Sequence, residues 1–99
     1  MSAHLLVMYP MPKDTKVFDR RYREEHLPYA GPRLEGATGV TSKKVVGAQQ
    51  FYWISDVAFP SVDALQKCAG SKGAKEALEH AASISTGGAP TVLMVADES

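Results

Sequence analysis

The residues best suited to chemistry lie in the first third of the chain, where a histidine follows two aromatic residues at helical spacing. Phe18, Tyr22 and His26 recur at every fourth position, which is typical of one stripe of an amphipathic helix. An imidazole titrates near neutral pH, so His26 in a partly dry pocket can accept or donate a proton. We therefore predict that His26 is a catalytic acid or base. The alternative interpretation is a structural histidine at the C-terminal end of a helix.

Large aromatic rings with a polar tip are frequent for so short a chain, and such rings are typical of small-molecule pockets. We predict substrate-binding roles for Tyr9, Tyr22 and Trp53, the alternative being that these rings only fill the core. Tyr52 and Trp53 are neighbours on one predicted strand, so we expect their side chains to point to opposite faces. Only one of the two could then reach a given pocket.

Other reactive groups give weaker signals. Cys68 is the only cysteine, and its position in an apolar helical pattern predicts a small buried hydrophobe rather than a nucleophile. Asp56 is predicted on the strand face of Tyr52, where a pair with His26 is conceivable. The sequence has no Cys/His metal-ligand spacing, no phosphate-binding loop and no hydrolase signature. We therefore predict neither a metal site nor a cofactor.

The elements that must position these residues follow from the apolar pattern and from the Pro and Gly positions. The first helix should begin at Asp14 or Thr15 and end near Leu27, because Pro28 disfavours helical geometry in the residue before it. Ser61 should cap a second helical region that is interrupted after about residue 69. The predicted strands are 4–9, 37–46, 50–59 and 91–96, with 37–46 at a sheet edge, 50–59 central and a turn over 47–49. The second helical region should resume over about 72–83.

This βαββαβ order predicts an α+β, ferredoxin-like fold, in which a four-stranded antiparallel sheet carries both helical regions on one face. The first, third and fourth strands are apolar at both alternating positions, so the second face of the sheet also needs a cover. A second copy of the same sheet, related by a twofold axis, supplies that cover most simply, and we predict a homodimer. The alternative is a monomer whose exposed patch binds another partner.

Composition restricts the classes of partner. The 99 residues predict a single domain over 1–99, and 11 basic against 11 acidic residues give a formal net charge of zero. We therefore expect no nucleic-acid or membrane partner. The apolar run 5–9 is too short for a signal segment or a membrane span, and a single cysteine suits a reducing compartment. We expect a cytoplasmic protein that is neither exported nor anchored.

A motif in the first third resembles the EthD-like branch of the dimeric α+β barrel superfamily. The residues that carry the resemblance are Tyr9-Pro10, Pro12, Asp14, Phe18, Tyr22, His26 and Pro28. Gly31-Pro32 fits the glycine- and proline-rich stretch that follows the family's first helix, and the rest of the chain agrees in element order. The resemblance implies a ferredoxin-like protomer whose sheet joins that of a second copy in a barrel. It also implies that the family's characteristic histidine and tyrosine fall on His26 and Tyr22.

The resemblance leaves several functions open, because one fold hosts many chemistries. It implies a role in small-molecule catabolism, as a cofactor-independent oxygenase, isomerase or dehydratase-like enzyme acting on a small apolar organic compound with His26 as acid or base. The alternative is a non-catalytic binding or accessory protein of a cytochrome P450-type system that degrades ethyl tert-butyl ether. Superfamily relatives also suggest haem or metal binding through His26.

Overall fold

A computed structural model of the chain describes residues 1–47 and 50–98. Its strands are β1 (Ala3–Pro10), β2 (Gly39–Lys44), β3 (Phe51–Phe59) and β4 (Thr91–Ala96). Its helices are α1 (Thr15–Arg21), α2 (Leu27–Ala30), α3 (Val62–Ala69) and α4 (Lys72–Ile84). The π-helical turn Tyr22–His26 joins α1 to α2, and the 3-10 turn Gly31–Arg33 follows α2. The predicted order of strands and helical regions is confirmed, while the turn predicted over 47–49 lies partly outside the described residues.

The sheet is antiparallel, with strand order β2-β3-β1-β4, so β1 and β3 are central and β2 is at an edge. The predictions of a central 50–59 strand and an edge 37–46 strand are confirmed. Leu5 pairs with Val57, and Val7 pairs with Ser55. Paired residues share a face of the sheet, and these are buried beneath the helices. The side chains of β1 alternate between buried and half-buried positions along the whole strand. The core therefore lies between one face of the sheet and the helical layer.

Local signals explain where the helices begin. The Asp14 carboxylate accepts hydrogen bonds from the backbone N–H groups of Lys16 and Val17, which have no partner within the helix. Ser61 does the same at the start of α3, where its hydroxyl oxygen accepts from the N–H of Ala64. Both predicted caps are confirmed.

The predicted end of the first helix at Leu27 is wrong. Leu27 has helical dihedral angles (φ −58°, ψ −47°), and its N–H donates to the carbonyl of Tyr22 five residues earlier. The helix thus widens by one residue before Pro28, which has no N–H to donate and occupies the first turn of α2. The wide turn lets the chain remain helical past a proline, and it also carries His26.

The expectation that Tyr52 and Trp53 point to opposite faces is also wrong. The β1–β3 register shifts between Tyr9 and Pro10, so that Tyr9 pairs with Trp53 while Pro10 pairs with Phe51. Tyr52 is the extra residue of this bulge, and a bulge interrupts the alternation of side chains. Both Tyr52 and Trp53 pack on Phe18, with ring centroids 5.8 Å and 6.0 Å away.

The other face of the sheet is apolar at its centre. On β1 and β3 it carries the half-buried Leu6, Met8 and Ile54, and on β4 it carries Leu93 and Val95, which are 46% and 38% exposed. We call these five residues the open face. Within residues 1–47 and 50–98, the helices pack on the opposite face. No helix in that part of the chain is long and apolar enough to cross a membrane.

Asp56 also lies on this side of the sheet, where its carboxylate is 2.7 Å from Nδ1 of His4. Its register partner Leu6 belongs to the open face, whereas His26 lies in the helical layer. His26 and Asp56 therefore do not form a pair, because the sheet separates the two side chains.

Candidate functional site

A cavity of about 30 Å³ lies between the helical layer and the sheet. Its lining is apolar except for two side chains, His26 from the π-helical turn and Ser55 from β3. The exposed Val40 of the edge strand is part of the lining, so the cavity reaches the surface beside β2. A space of this size holds one or two water molecules. The cavity thus presents one imidazole and one hydroxyl to an otherwise apolar interior.

His26 is only 6% exposed, and both of its ring nitrogens have neighbours. Nδ1 is 2.9 Å from Nδ1 of His80 on α4, whereas Nε2 is 3.4 Å from the hydroxyl of Tyr9. The first distance is that of a good hydrogen bond, and the second is long for one. Nε2 is therefore the nitrogen that remains available for another partner.

Burial first, and the nearby imidazole of His80 second, together lower the pKa of His26 to about 4. At neutral pH the ring of His26 is consequently uncharged and has one nitrogen lone pair to offer. It can accept a proton without first losing one.

The two histidine rings meet edge to edge. Their planes differ by 10° and their centroids are 5.2 Å apart, while the two Nδ1 atoms are 2.9 Å apart. The centroid distance exceeds the distance between the nitrogens by about one ring width. The two nitrogens therefore lie close to the line that joins the ring centroids, and the rings meet at their edges. This is the orientation that an N–H···N hydrogen bond requires, with one nitrogen donating and the other accepting.

Two tyrosines pack around His26 on the side of the sheet. The ring of Tyr22 lies 5.6 Å from that of His26, and its hydroxyl hydrogen-bonds with the hydroxyls of Ser42, at 2.7 Å, and Ser55. Tyr22 thereby ties the π-helical turn to β2 and β3. Burial raises the pKa of Tyr9, and the neighbouring Tyr22 raises it further, so the Tyr9 hydroxyl keeps its proton at neutral pH.

Trp53 completes the aromatic cluster. Its ring lies 5.1 Å from that of Tyr22, and the cationic groups of Arg23 and Lys44 lie 5.8 Å and 5.9 Å from its centroid. The indole N–H is buried and has no hydrogen-bond acceptor within 1–47 and 50–98. A buried donor without a partner is costly, so this N–H is suited to a polar atom of a bound molecule.

The structure brings the four predicted site residues together, with His26 in contact with Tyr9 and Tyr22, and Tyr22 in contact with Trp53. Of these four, His26 lines the cavity. The tyrosines and Trp53 pack beside it, and their substrate-binding roles stay predictions.

Sequence analysis missed His80 and Ser55. Ser55 could have been found from strand alternation, because it stands two residues from both Trp53 and Val57 on a buried face. His80 gave no comparable signal, because its partner His26 is 54 residues away.

The described residues do not support a metal site or a nucleophilic cysteine. No three His, Cys, Asp or Glu side chains lie close enough together to hold a metal ion in the described part of the chain. Cys68 is buried as predicted, and burial raises the pKa of its thiol. That shift makes the reactive thiolate less accessible at neutral pH.

Comparison with models of protein families gives no match, and comparison with curated proteins gives none either. Solved structures do match. The chain is similar to an ethyl tert-butyl ether D (EthD) family protein from Bacillus halodurans C-125, with a TM-score of 0.84, 20% identity, and coverage of 99% of this chain and 100% of that one. The resemblance to EthD-like proteins is therefore confirmed at the level of the fold.

Two further structures share the fold. One is a dimeric ferredoxin-like protein of unknown function from Jannaschia sp. CCS1, with a TM-score of 0.68, 17% identity and coverage of 98% and 100%. The other is SnoaB, a cofactor-independent oxygenase from Streptomyces nogalater, with a TM-score of 0.66, 9% identity and coverage of 99% and 94%. These similarities confirm the predicted ferredoxin-like α+β fold.

Proposed function

We propose that this protein is a cofactor-independent enzyme of small-molecule catabolism, in which His26 exchanges a proton with a small apolar organic compound. The observation that carries the proposal is a neutral, buried imidazole in the wall of an otherwise apolar cavity. Similarity to EthD-like proteins and to a cofactor-independent oxygenase is consistent with this proposal.

The geometry favours Nε2 of His26 as the reacting atom. Nδ1 is engaged by His80, whereas Nε2 has only the long contact with Tyr9. A compound that loses a C–H or O–H proton beside this ring develops negative charge, and that charge raises the proton affinity of the imidazole. The low pKa of His26 in the free protein therefore keeps its imidazole neutral until a compound is bound. The neutral hydroxyl of Tyr9, which lies beside Nε2, is the group we propose as hydrogen-bond donor to that compound.

The cavity must widen to admit an organic molecule. Ligand sites for small molecules are typically about 300 Å³ or more, whereas this cavity measures about 30 Å³. Val40 is 41% exposed and belongs to an edge strand, so its side chain can move at little cost. We propose that entry occurs beside Val40. Truncation in Val40→Ala should then strengthen the binding of a small ketone.

The open face supports a homodimer as the working form. It places Leu93 and Val95 in water, and monomers rarely expose large apolar patches. A second copy turned by a twofold axis would set the same apolar residues against each other. One fold relative is described as dimeric, which is consistent with this arrangement.

A binding protein without catalysis is the second candidate. The observation that favours it is the lining of the cavity, which is apolar apart from two side chains and therefore suits retention of a hydrophobic compound without any titrating group. The two candidates differ in what becomes of the bound compound.

Exchange of carbon-bound hydrogen for deuterium separates the candidates. Cyclopentanone is a small apolar probe with weakly acidic C–H groups, and its exchange in D₂O is followed by proton NMR while binding is followed by saturation transfer. An enzyme should accelerate exchange, and His26→Asn should reduce the acceleration by about 100-fold or more while the probe still binds. Binding without accelerated exchange in the unmodified protein would support the binding candidate and contradict catalysis.

Two variants of α4 serve as matched controls for the cavity. Ala77 lines it, so Ala77→Leu should fill it and abolish both binding and exchange. Ala82 is exposed on the same helix, so Ala82→Leu should leave both unchanged. Equal effects of the two variants would show that the probe does not occupy this cavity.

A further inference from the structure

We propose that His80 is a positioning residue that passes protons between water and His26 and determines which nitrogen of His26 carries the ring proton. The catalytic consequence rests on the proposed function, while the coupling between the two rings rests on their geometry alone. His80 is half-buried on α4, so it lies between the solvent and the buried His26.

The contact between the rings allows two arrangements of protons. Since the Nδ1 atoms are 2.9 Å apart and edge to edge, a single proton lies between them. When His80 is neutral and accepts at Nδ1, His26 carries its proton on Nδ1 and has a lone pair on Nε2. When His80 takes up a proton, both of its nitrogens carry hydrogen and its Nδ1 must donate. His26 then accepts at Nδ1 and holds its own proton on Nε2.

Tyr9 can follow either arrangement. Its neutral hydroxyl donates to Nε2 of His26 in the first and accepts from it in the second. A proton given up by His26 at Nε2 is therefore replaced at Nδ1 by the proton of His80, which becomes neutral and recovers a proton from water. Proton abstraction from a bound compound runs the same steps in reverse. One proton enters and one leaves, and no other reactant is needed.

Neighbouring groups from α2, the 3-10 turn and α4 surround His80. The ring of Tyr29 lies against it at 4.7 Å, and the guanidinium of Arg33 lies 3.6 Å from the centroid of Tyr29. Arg33 is paired with Glu76 at 3.4 Å. Glu79 is the adjacent acidic residue on α4. The positive charge of Arg33 next to Tyr29 is thus paired with a carboxylate.

The nitrogen resonances of the histidine rings test the coupling directly. In ¹⁵N-labelled protein, protonated and unprotonated ring nitrogens have well-separated shifts, which can be followed from about pH 8 to about pH 5. As His80 takes up a proton, the shift of His26 Nδ1 should move to the unprotonated range and that of Nε2 to the protonated range. The ring of His26 should remain neutral throughout.

Two variants provide the controls. His80→Asn keeps a hydrogen-bonding group beside Nδ1 of His26 but does not titrate, so the change at His26 should disappear. His80→Phe keeps a ring beside Tyr29 but removes the hydrogen bond, and the change should disappear there as well. A His26 that does not respond while His80 titrates, or that responds equally in His80→Asn, would overturn the proposal. Absence of deuterium exchange on the probe, with the coupled change intact, would instead overturn only the proposed function.

Discussion

The low pKa of His26 makes the stability of the protein depend on pH in the direction opposite to that given by His4. Burial holds the pKa near 4 in the folded state, against 6.5 for an exposed ring. Between these values the unfolded chain binds a proton that the folded chain does not, so the free energy of unfolding falls as pH falls. The stabilisation that comes from keeping His26 neutral is fully present above about pH 6.5, and it is lost below about pH 4.

The magnitude follows from the pKa difference. Each pH unit in this window lowers the free energy of unfolding by up to about 1.4 kcal/mol, which gives at most about 3 kcal/mol. Solvent at the accessible edge of the ring reduces this figure, and we expect about 2 kcal/mol over the window and about 1 kcal/mol by about pH 5. His26→Asn lacks the titrating ring. Between about pH 7 and about pH 5, its free energy of unfolding should therefore decrease by about 1 kcal/mol less than that of the unmodified protein.

Urea denaturation at matched protein concentrations provides the assay, since dissociation of a dimer would be coupled to unfolding. His4 supplies a control of opposite sign. Hydrogen bonds with Asp56 and then Asp97 raise the pKa of His4, so its contribution is present at acid pH and is lost as pH rises through the folded value. His4→Gln should therefore steepen the acid loss, whereas His26→Asn should flatten it. Identical pH dependence of the unmodified protein and His26→Asn would refute the argument that His26 is buried and neutral.

Three further predictions concern the packing around the site and the open face. Tyr22→Phe removes a hydroxyl that bonds two serines, one of them buried, and should lower the free energy of unfolding by about 1–3 kcal/mol in urea titrations; an unchanged value would show that those bonds contribute nothing. A Cβ at Gly73 would lie 2.3 Å from a backbone oxygen of the 3-10 turn, so Gly73→Ala should cost about 1–3 kcal/mol, whereas Gly31→Ala, with open space around it, should not lower the melting temperature. Leu93→Asp should give monomers in sedimentation velocity by placing charges across the proposed interface, whereas Val46→Asp, an exposed position outside the open face, should remain dimeric; an intact Leu93→Asp dimer would contradict that interface.

The elements whose signals are local could be predicted from the sequence. The apolar and aromatic runs of β1 and β3 indicate two strands, with β3 central, and the caps at Asp14 and Ser61 indicate where helices begin. In each case the stabilising groups lie within a few residues of one another. Their spacing alone was therefore enough.

Two irregularities could not be predicted because they depend on packing across the fold. The π-helical turn Tyr22–His26 changes a hydrogen bond from four to five residues, and Pro28 by itself favoured a helix end instead. The bulge at Tyr52 moves one aromatic ring onto the helical side, which simple alternation assigned to the other face.

The composition of the site was predictable only in part. The sequence predicts a site that contains His26, Tyr9, Tyr22 and Trp53, and these four side chains do lie together. The partner of His26 was not found, because His80 comes from a helix far along the chain. Helical spacing shows which face of α4 is apolar but not which residue of another element its side chains meet.

We propose that a small apolar compound reaches the ring of His26, and the nitrogen shifts of the histidine rings during titration with cyclopentanone are the decisive measurement. We predict a saturable change at Nε2 of His26 that is absent in the cavity-filled variant Ala77→Leu, while the shifts of His4 on the opposite face of the sheet remain constant. An unchanged His26 at concentrations where the ketone is shown to bind would contradict the claim.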